Sequence, residues 1–507
     1  MITDQDCVQA ETYEYKGLST DTKPTNCAVN SLFLELDTGI FYFFNGTEWK
    51  NINERITLGE SEPTGTIQIT NNGIFDVHDY AEADVDVPAI TPTGTMSITE
   101  NGTYDVANYA EANVDVDVTV NFNLQAFKKS TPTALSQARK SLAATTVGDY
   151  ALFGGGENNS SRLSTVDAYS TSLTRTTPTA LSQARKSLAA TAVGNYALFG
   201  GGNSGSTRYS TVDAYDQSLT RTTPTSLSKY RTNLAATSVA PAGGSSPQSG
   251  YALFAGGYYN DSGHTYPAIV DAYDTSLTRT TPTALSEGRE LLEGTNVESY
   301  ALFGGGSNSS YVPTATVDAY NTSLTRTTPT ALSQARKSLA ATAVGNYALF
   351  GGGQVPDSYS TVVDAYDLNL TRITPEGLSV ARDNFTATTV GNYALFGGGY
   401  SVSYRVDNVD AYDITLTRLI PRALSSPKNI LAATTIGGYA LFGGGWDGIV
   451  NSNVVDAYSL ASYDIQVFPG TKYSFNGGTE QTSSTWQTLT MQGEVVGYIK
   501  VKDATVN

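Results

Sequence analysis

The sequence predicts an all-β protein, and three observations support that fold class. The first is a Tyr-Ala-Leu-Phe-Gly-Gly-Gly segment in seven copies, although Ala255 replaces the first glycine of the third copy. The second is a Val-Asp-Ala-Tyr segment that follows every copy, first at 166–169. The third is the spacing of 46, 55, 49, 47, 46 and 46 residues between copies, a period typical of repeat architectures. The copies begin at Tyr150, Tyr196, Tyr251, Tyr300, Tyr347, Tyr393 and Tyr439.

Each repeat carries four strand patterns, labelled A to D. In the first repeat we expect them at 142–147, 150–153, 165–169 and 173–177. Four antiparallel strands in about 46 residues make one blade of a β-propeller, so residues 120–460 predict a propeller of seven blades.

A helix is the competing interpretation of the segment between strands D and A. Pro178 stands where a helix could begin, followed by Ala, Leu and Gln. Other copies argue against a helix, because Pro427, Gly288 and Gly377 interrupt the same segment. We therefore predict a loop there.

The two ends of the repeat array predict how the ring closes. No strand D pattern follows Tyr458 in the last copy, whereas Phe127 to Thr131 precedes the first copy in the register of a strand D. We expect this N-terminal segment to pair with strand C of the last blade, which removes the open edges of the ring.

Three further regions flank the repeats. Residues 1–58 alternate as strands do, and Asn45-Gly46 between apolar strands predicts a hairpin turn. Residues 59–119 contain two tandem β modules, since Pro63-Thr64-Gly65-Thr66 returns 29 residues later. Residues 461–507 form a β-rich tail, for which we expect one small sheet.

The long repeats resemble the kelch family. The glycine run after strand B, the tyrosine that ends strand C and the arginine before strand A match the family pattern. The difference lies in strand D, where kelch repeats often carry Trp and this chain has Leu173-Thr174-Arg175. The resemblance implies a propeller whose loops bind a ligand.

A second resemblance concerns the N-terminal part. Residues 15–24 with the following hairpin look like the N-terminal segment of virion proteins in phages of Gram-positive bacteria, and the tandem modules resemble spacers of phage tail and fibre proteins. This likeness implies docking on other virion proteins through the N-terminal segment. The expected location is the virion, assembled in the host bacterial cytoplasm.

Composition excludes several classes. A net charge of −18 argues against nucleic-acid binding, which needs a basic face. We expect no membrane insertion, because no run of about 18 apolar residues occurs. We expect no signal peptide, because the first residues lack a basic and apolar leader. Cys7 and Cys27 are expected to be free thiols, with a bridge as the alternative.

Residues suited to catalysis are scarce. The two histidines, His78 and His264, are too few for a histidine-based triad or metal site. The strand C aspartates recur in every copy, which indicates a structural role. We therefore predict no enzyme, no cofactor and no metal. The alternative is a glycan-degrading enzyme, for which Asp261 and Asp447 are the loop acids to test.

The loops between strands B and C differ, while the rest of the repeat is constant. Residues 175–202 and 326–353 are identical over 28 residues, yet their B–C loops share little. Antiparallel order places B–C and D–A connections on one face. Tyr, Trp and Arg among small polar residues are typical of recognition surfaces, although neutral drift is the alternative. The candidate contacts are Arg162, Arg208, Tyr209, Tyr258, Tyr259, Asp261, His264, Tyr266, Tyr311, Asp357, Tyr359, Tyr400, Tyr404, Arg405, Trp446 and Asp447.

The D–A connections add one basic residue per repeat. In kelch domains that bind acidic peptides, arginines here contact the ligand, which the resemblance implies as one role. Pairing with neighbouring carboxylates or carbonyls is the other. The ring consists of Arg139, Arg185, Arg231, Arg289, Arg336, Arg382 and Lys428.

These observations predict a non-enzymatic phage fibre or receptor-binding protein. Its propeller would recognise a host-surface glycan or protein, with the long, aromatic B–C loop of the third blade prominent. A capsid head-fibre or decoration protein is the structural alternative, and a homo-oligomer stays open.

Overall fold

The computed structural model describes most of the repeat region and selected strands elsewhere. Cys7, Cys27, His78 and Asp261 lie outside the described residues, as do residues 242–249, which separate strands A and B in the third repeat. The described residues are 14–17, 22–23, 32–35, 41–44, 49–51, 66–69, 95–98, 104–105, 117–123, 126–241, 250–260, 264–467, 472–475, 481–482, 487–492 and 496–502.

Seven four-stranded antiparallel sheets form the blades of a propeller within the unit Ala126–Leu460, which confirms the predicted fold. The described residues contain no helix, and so none that could span a membrane. Strand A of each blade contacts strand A of both neighbours and is therefore innermost. In chain order, strands A to D are Ala143–Val147, Tyr150–Gly154, Val166–Ser170, Arg175–Thr176; Ala189–Val193, Tyr196–Gly200, Val212–Tyr215, Arg221–Thr222; Ala235–Val239, Tyr251–Ala255, Val270–Tyr273, Arg279–Thr280; Glu293–Val297, Tyr300–Gly304, Val317–Asn321, Arg326–Thr327; Ala340–Val344, Tyr347–Gly351, Val363–Tyr366, Arg372–Ile373; Thr386–Val390, Tyr393–Gly397, Val409–Asp413, Arg418–Leu419; Ala432–Ile436, Tyr439–Gly443, Val455–Leu460, with Phe127–Ser130 as the last strand D.

Strand D is shorter than predicted. It spans two residues in the first six blades because the preceding leucine belongs to the C–D turn. Leu173 has a φ of 59° there, a left-handed conformation that cannot continue a strand. In the second blade the carboxylate of Asp216 accepts hydrogen bonds from the amides of Ser218 and Thr220, both at 2.9 Å. Local turn chemistry therefore ends the strand early.

The predicted closure of the ring is confirmed. Phe127–Ser130 pairs antiparallel with Val455–Leu460, so that Lys129 stands opposite Tyr458. Phe127 is buried, and its ring meets the ring of Tyr393 edge-on at 4.9 Å. The N-terminal strand thus supplies the outer edge of the last blade.

The core lies between neighbouring blades. Phe199 of the second blade packs against Gly154 of the first, where an added Cβ would come within 2.7 Å of the ring. The next glycine, Gly155, has a φ of 68° and turns the chain out of strand B. The glycine run therefore allows close blade packing and a left-handed turn, which only glycine adopts at low cost.

A closed ring of seven backbone hydrogen bonds joins the D–A connections of successive blades, which the sequence did not predict. Each residue donates its amide to the carbonyl of its counterpart in the preceding blade, and Ser141 closes the circle by donating to Ile430 at 3.1 Å. All seven residues have φ between 50° and 56°. They are Ser141, Ser187, Asn233, Leu291, Ser338, Asn384 and Ile430.

The second compact unit combines Met1–Gln125 with Ala461–Asn507. Its tail strands pair with strands of the tandem modules, whereas the sequence suggested a separate small sheet for the tail. The hairpin strands around Asn45 are present in a third sheet. In spatial order the sheets are Glu14–Gly17, Leu32–Glu35, Phe41–Phe44, Trp49–Asn51; Gln487–Gln492, Ser462–Val467, Thr66–Ile69, Tyr104–Asp105; and Gln481–Thr482, Lys472–Phe475, Val496–Lys502, Asp117–Asn123, Thr95–Ile98.

Candidate functional site

The B–C loops and D–A connections lie side by side, and we call their common surface the B–C face. In the first blade Lys140 and Glu157 exchange two backbone hydrogen bonds, at 3.0 and 2.9 Å. Equivalent bridges occur in every blade, and their members are Lys140–Glu157, Lys186–Asn203, Thr232–Tyr258, Glu290–Ser307, Lys337–Gln354, Asp383–Tyr400 and Asn429–Trp446.

The B–C loops contain short, paired hairpins and are not irregular loops. In the sixth blade Tyr400–Ser401 pairs with Tyr404–Arg405, and in the third blade Tyr259–Asn260 pairs with His264–Thr265. The residue after the glycine run therefore sits beside a defined partner, such as Arg405 beside Tyr400. This backbone pairing holds the variable side chains in fixed positions on the B–C face.

One continuous stack of aromatic and cationic side chains crosses four blades. We call it the blade 5–1 stack, and its members are Tyr359, Tyr400, Arg405, Trp446 and Lys140. The rings of Tyr359 and Tyr400 are 5.9 Å apart. The Arg405 guanidinium lies 5.2 Å from the Tyr400 ring and 4.2 Å from the Trp446 ring, and Lys140 Nζ lies 4.1 Å from the Trp446 ring.

Gly448 leaves the space that the Arg405 guanidinium occupies. An added Cβ on Gly448 would come within 2.6 Å of Arg405 Nη1, so a larger residue there would displace the guanidinium. Cation–π contacts of this kind each contribute about 0.5–1 kcal/mol at exposed sites. The stack is thus a preorganised, partly apolar surface that carries positive charge.

A second group, the blade 2–4 stack, consists of Arg208, Tyr258, Tyr266 and Tyr311. The Arg208 guanidinium lies 4.4 Å from the Tyr258 ring, which is 5.7 Å from Tyr266. Tyr266 meets Tyr311 edge-on at 5.9 Å. Tyr266 is buried, which raises the pKa of its hydroxyl, and Tyr311 and Glu290 raise it further. Tyr311 is half exposed at 50%.

The structure therefore brings eight of the predicted contacts into two stacks and separates others. Tyr259 packs against Tyr230 at 6.0 Å with Lys229 nearby, and Tyr209 donates to Ser204 Oγ at 3.0 Å. Tyr404 is exposed at the tip of its hairpin. Arg162 pairs with Glu157, Asp357 is exposed in a turn, and His264 belongs to the third-blade hairpin.

Asp447 stabilises its own loop. Its carboxylate accepts hydrogen bonds from the amides of Ile449 and Val450, at 2.7 and 2.8 Å. The bonds from Val450 and Ile449 lower the pKa of Asp447. A carboxyl group held in the ionised form is unsuited to serve as the general acid of a glycan-degrading enzyme.

The predicted basic ring is buried, and its members are ion-paired. Arg185 is fully buried, donates to Asp213 at 2.7 Å and donates to the Phe199 carbonyl at 3.0 Å. Burial lowers the pKa of Arg185, which Asp213 opposes. Of the two roles left open by the sequence, the structure shows pairing with carboxylates. The corresponding pairs are Arg139–Asp167, Arg231–Asp271, Arg289–Asp318, Arg336–Asp364, Arg382–Asp410 and Lys428–Asp456.

Two acidic residues with raised pKa values were not predicted from the sequence. Asp383 is 4% exposed, and burial raises its pKa to about 6. Glu293, at the start of an inner strand, has a pKa raised by burial to about 7. The sequence did contain a signal, because both positions differ from their counterparts in other repeats. Asn429 stands in the place of Asp383 in the seventh repeat, and Ala340 stands in the place of Glu293 in the fifth. Among the described residues no group of three or more His, Cys, Asp or Glu is placed to hold a metal ion.

The fold and this face define the chain as a seven-bladed β-propeller with elaborated B–C loops, an architecture compatible with a non-enzymatic role. No protein-family model matches the sequence, and no curated protein matches it. Among solved structures, the chain is similar to that of YjhT, at 12% identity and a TM-score of 0.47. That similarity covers 57% of this chain and 99% of YjhT.

Proposed function

We propose that this chain is a non-enzymatic attachment protein of a phage virion, in which the propeller binds a host-surface glycan or protein through its B–C face. The observation that carries the proposal is the blade 5–1 stack, in which Arg405 lies between the rings of Tyr400 and Trp446. Loops from four separate blades converge to build it, which drift of single loops does not explain.

The chemistry of the stack suits binding. Aromatic rings held by neighbouring cations offer rigid contact area that loses little conformational entropy when a ligand binds. Exposed apolar side chains occur in the same B–C loops, among them Val402 at 73% and Ile449 at 85%. Large exposed aliphatic groups beside fixed aromatic rings are typical of interaction surfaces.

The available acids support a non-enzymatic role. The strand C aspartates are buried in ion pairs, and Asp447 is bonded to its own loop. A glycan hydrolase needs one carboxylic acid and one carboxylate flanking the bond to be cleaved. The rival candidate Asp261 lies outside the described residues.

The virion setting rests on the sequence resemblance of residues 15–24 and the tandem modules to phage fibre proteins. In this proposal the N-terminal segment docks on other virion proteins and the modules act as a spacer. A kelch-type origin of the propeller accords with the glycine, tyrosine and arginine positions of each repeat.

Binding of the purified, fluorescently labelled chain to a panel of Gram-positive bacterial strains tests this function. We expect saturable binding to a subset of strains, reduced about thirtyfold in affinity by Arg405→Ala, because loss of an anchor typically costs about 2 kcal/mol. The matched control is Arg221→Ala, on strand D at the outer edge of a blade. Release of reducing ends from the host polysaccharide would contradict the non-enzymatic role.

A further inference from the structure

The B–C face has an open groove between the seventh and first blades. Its volume is about 480 Å³, and its lining comes from the D–A connection of the first blade and the B–C loops of both blades. It lies at the junction where the ring closes, beside the end of the blade 5–1 stack. The lining residues are Gln137, Ala138, Asn158, Asn159, Ser160, Val450 and Asn451.

The charged side chains that border the groove are engaged elsewhere. Asp447 accepts bonds from its own loop, and Glu157 pairs with Lys186 at 2.9 Å. Lys140 stacks on Trp446. The lining itself consists of three asparagines, one glutamine, one serine and two apolar residues. A ligand that fits this lining carries no net charge at the contact.

The amides present both donors and acceptors to the groove. Asn158 Oδ1 accepts from the backbone amides of Ser160 and Ser161, and Gln137 Oε1 accepts from the Thr165 hydroxyl. The side-chain NH₂ groups of Asn158 and Gln137 have no partner among the described residues. Asn451 donates to Asn159 Oδ1 at 3.0 Å, and this bond orients the exposed Asn159 amide beside the groove.

We propose that this groove binds a neutral saccharide, and this assignment rests on the proposed attachment function. A sugar hydroxyl both donates and accepts, so neighbouring hydroxyls can accept from the amide NH₂ groups of Asn158 and Gln137 and donate to the second acceptor position of Asn159 Oδ1. A peptide is less well matched, because peptide recognition typically uses an exposed sheet edge or an apolar groove.

Saturation-transfer NMR on the full chain tests the assignment. The probes are maltotriose and N-acetylchitotriose as neutral sugars, sialyllactose as an anionic sugar and tetra-alanine as a peptide. We expect transfer to at least one neutral sugar, with affinity reduced about fivefold by Asn159→Ala, the loss typical of one hydrogen bond. Asn451→Leu should also weaken binding, because it removes the donor that orients the Asn159 amide.

The matched control is Asn195→Ala, an exposed asparagine in the A–B turn on the opposite face. Transfer to tetra-alanine alone, transfer to no neutral sugar, or equal loss in Asn159→Ala and Asn195→Ala would each overturn the groove assignment. If no neutral sugar shows saturation transfer while Arg405→Ala still weakens attachment to cells, the groove assignment is wrong and the attachment function stands. If sugars bind but no strain is bound, the attachment function falls and the groove stands.

Discussion

Phe303 packs against Gly294, the residue opposite it on the neighbouring strand, and an added Cβ on Gly294 would lie 3.1 Å from the ring. The other six blades have Ala at this position, as in Ala236. The same blade interface holds Ala255, where every other repeat has glycine. The Phe303 ring meets Tyr320 at 78°, against 85° to 90° in the other blades. The extra methyl of Ala255 and the missing methyl of Gly294 thus compensate each other.

The first prediction is that these two positions are coupled. Gly294→Ala alone should destabilise the fold by about 1 kcal/mol, since Phe303 is confined between two methyl groups. Together with Ala255→Gly it should become neutral or stabilising, with an interaction energy of about 1–2 kcal/mol. Urea unfolding of the wild type, both single variants and the double variant measures this energy. Strictly additive effects would show that Phe303 does not link the two sites.

The second prediction concerns the ring of backbone hydrogen bonds. Ile430 has a φ of 55°, which is strained for a β-branched residue, whereas Asn233 and Asn384 hold equivalent places. Ile430→Asn should therefore stabilise the protein by about 1 kcal/mol in thermal unfolding. The reciprocal variant Ser338→Ile should destabilise it by a similar amount, because its φ is 51°. Equal melting temperatures for all three proteins would show that the strain is relieved elsewhere.

The repeat period was sufficient to predict the blade number, the inner strands and the closing strand. The blade number and the inner strands follow from local patterns that recur seven times. The closing strand follows from Phe127 to Thr131, a strand D pattern that precedes the first repeat and is missing after Tyr458 in the last. The hydrogen-bonded ring was not predictable, because Leu291 and Ile430 carry no sequence signal for a left-handed backbone. Residue type alone also could not place Arg185, since the same guanidinium suits a ligand or a buried aspartate.

The B–C face illustrates the same limit. The aromatic and basic composition of the B–C loops pointed to this surface, but the stacks join residues from different loops, as with Arg405 and Trp446. Spacing within one repeat cannot reveal such contacts. The acids with shifted pKa values, Asp383 and Glu293, depend on burial that only the packed blades produce.

The third prediction is that the folding stability depends on pH through Asp383. Its pKa is raised by burial to about 6 in the folded protein, against about 3.9 for an unfolded aspartate. The folded state therefore loses stability as the pH rises from about 4 to 6, and the penalty persists above pH 6. Asp383→Asn, which reproduces the counterpart Asn429, should stabilise the protein by about 2 kcal/mol at pH 8 and by little at pH 4. Urea unfolding at both pH values measures this difference.

The control for this pH effect is the reciprocal variant. Asn429→Asp introduces a buried carboxyl group in the seventh blade and should lower stability at pH 8 more than at pH 4. A stabilisation by Asp383→Asn that is equal at both pH values would mean that the carboxyl charge is not its cause.

The last prediction tests the two stacks separately as parts of the proposed binding face. Trp446→Ala removes the ring that Arg405 and Lys140 both contact, and it should weaken attachment to bacterial cells about thirtyfold. Tyr311→Ala tests the blade 2–4 stack, and the long third-blade loop leads us to expect a similar loss. Deleting residues 242–249, which lie between strands A and B of the third blade in the sequence, should leave attachment unchanged. Binding isotherms of labelled protein on whole cells measure all three. If the deletion weakens attachment while neither aromatic substitution does, ligand contact lies on the face opposite the B–C face instead.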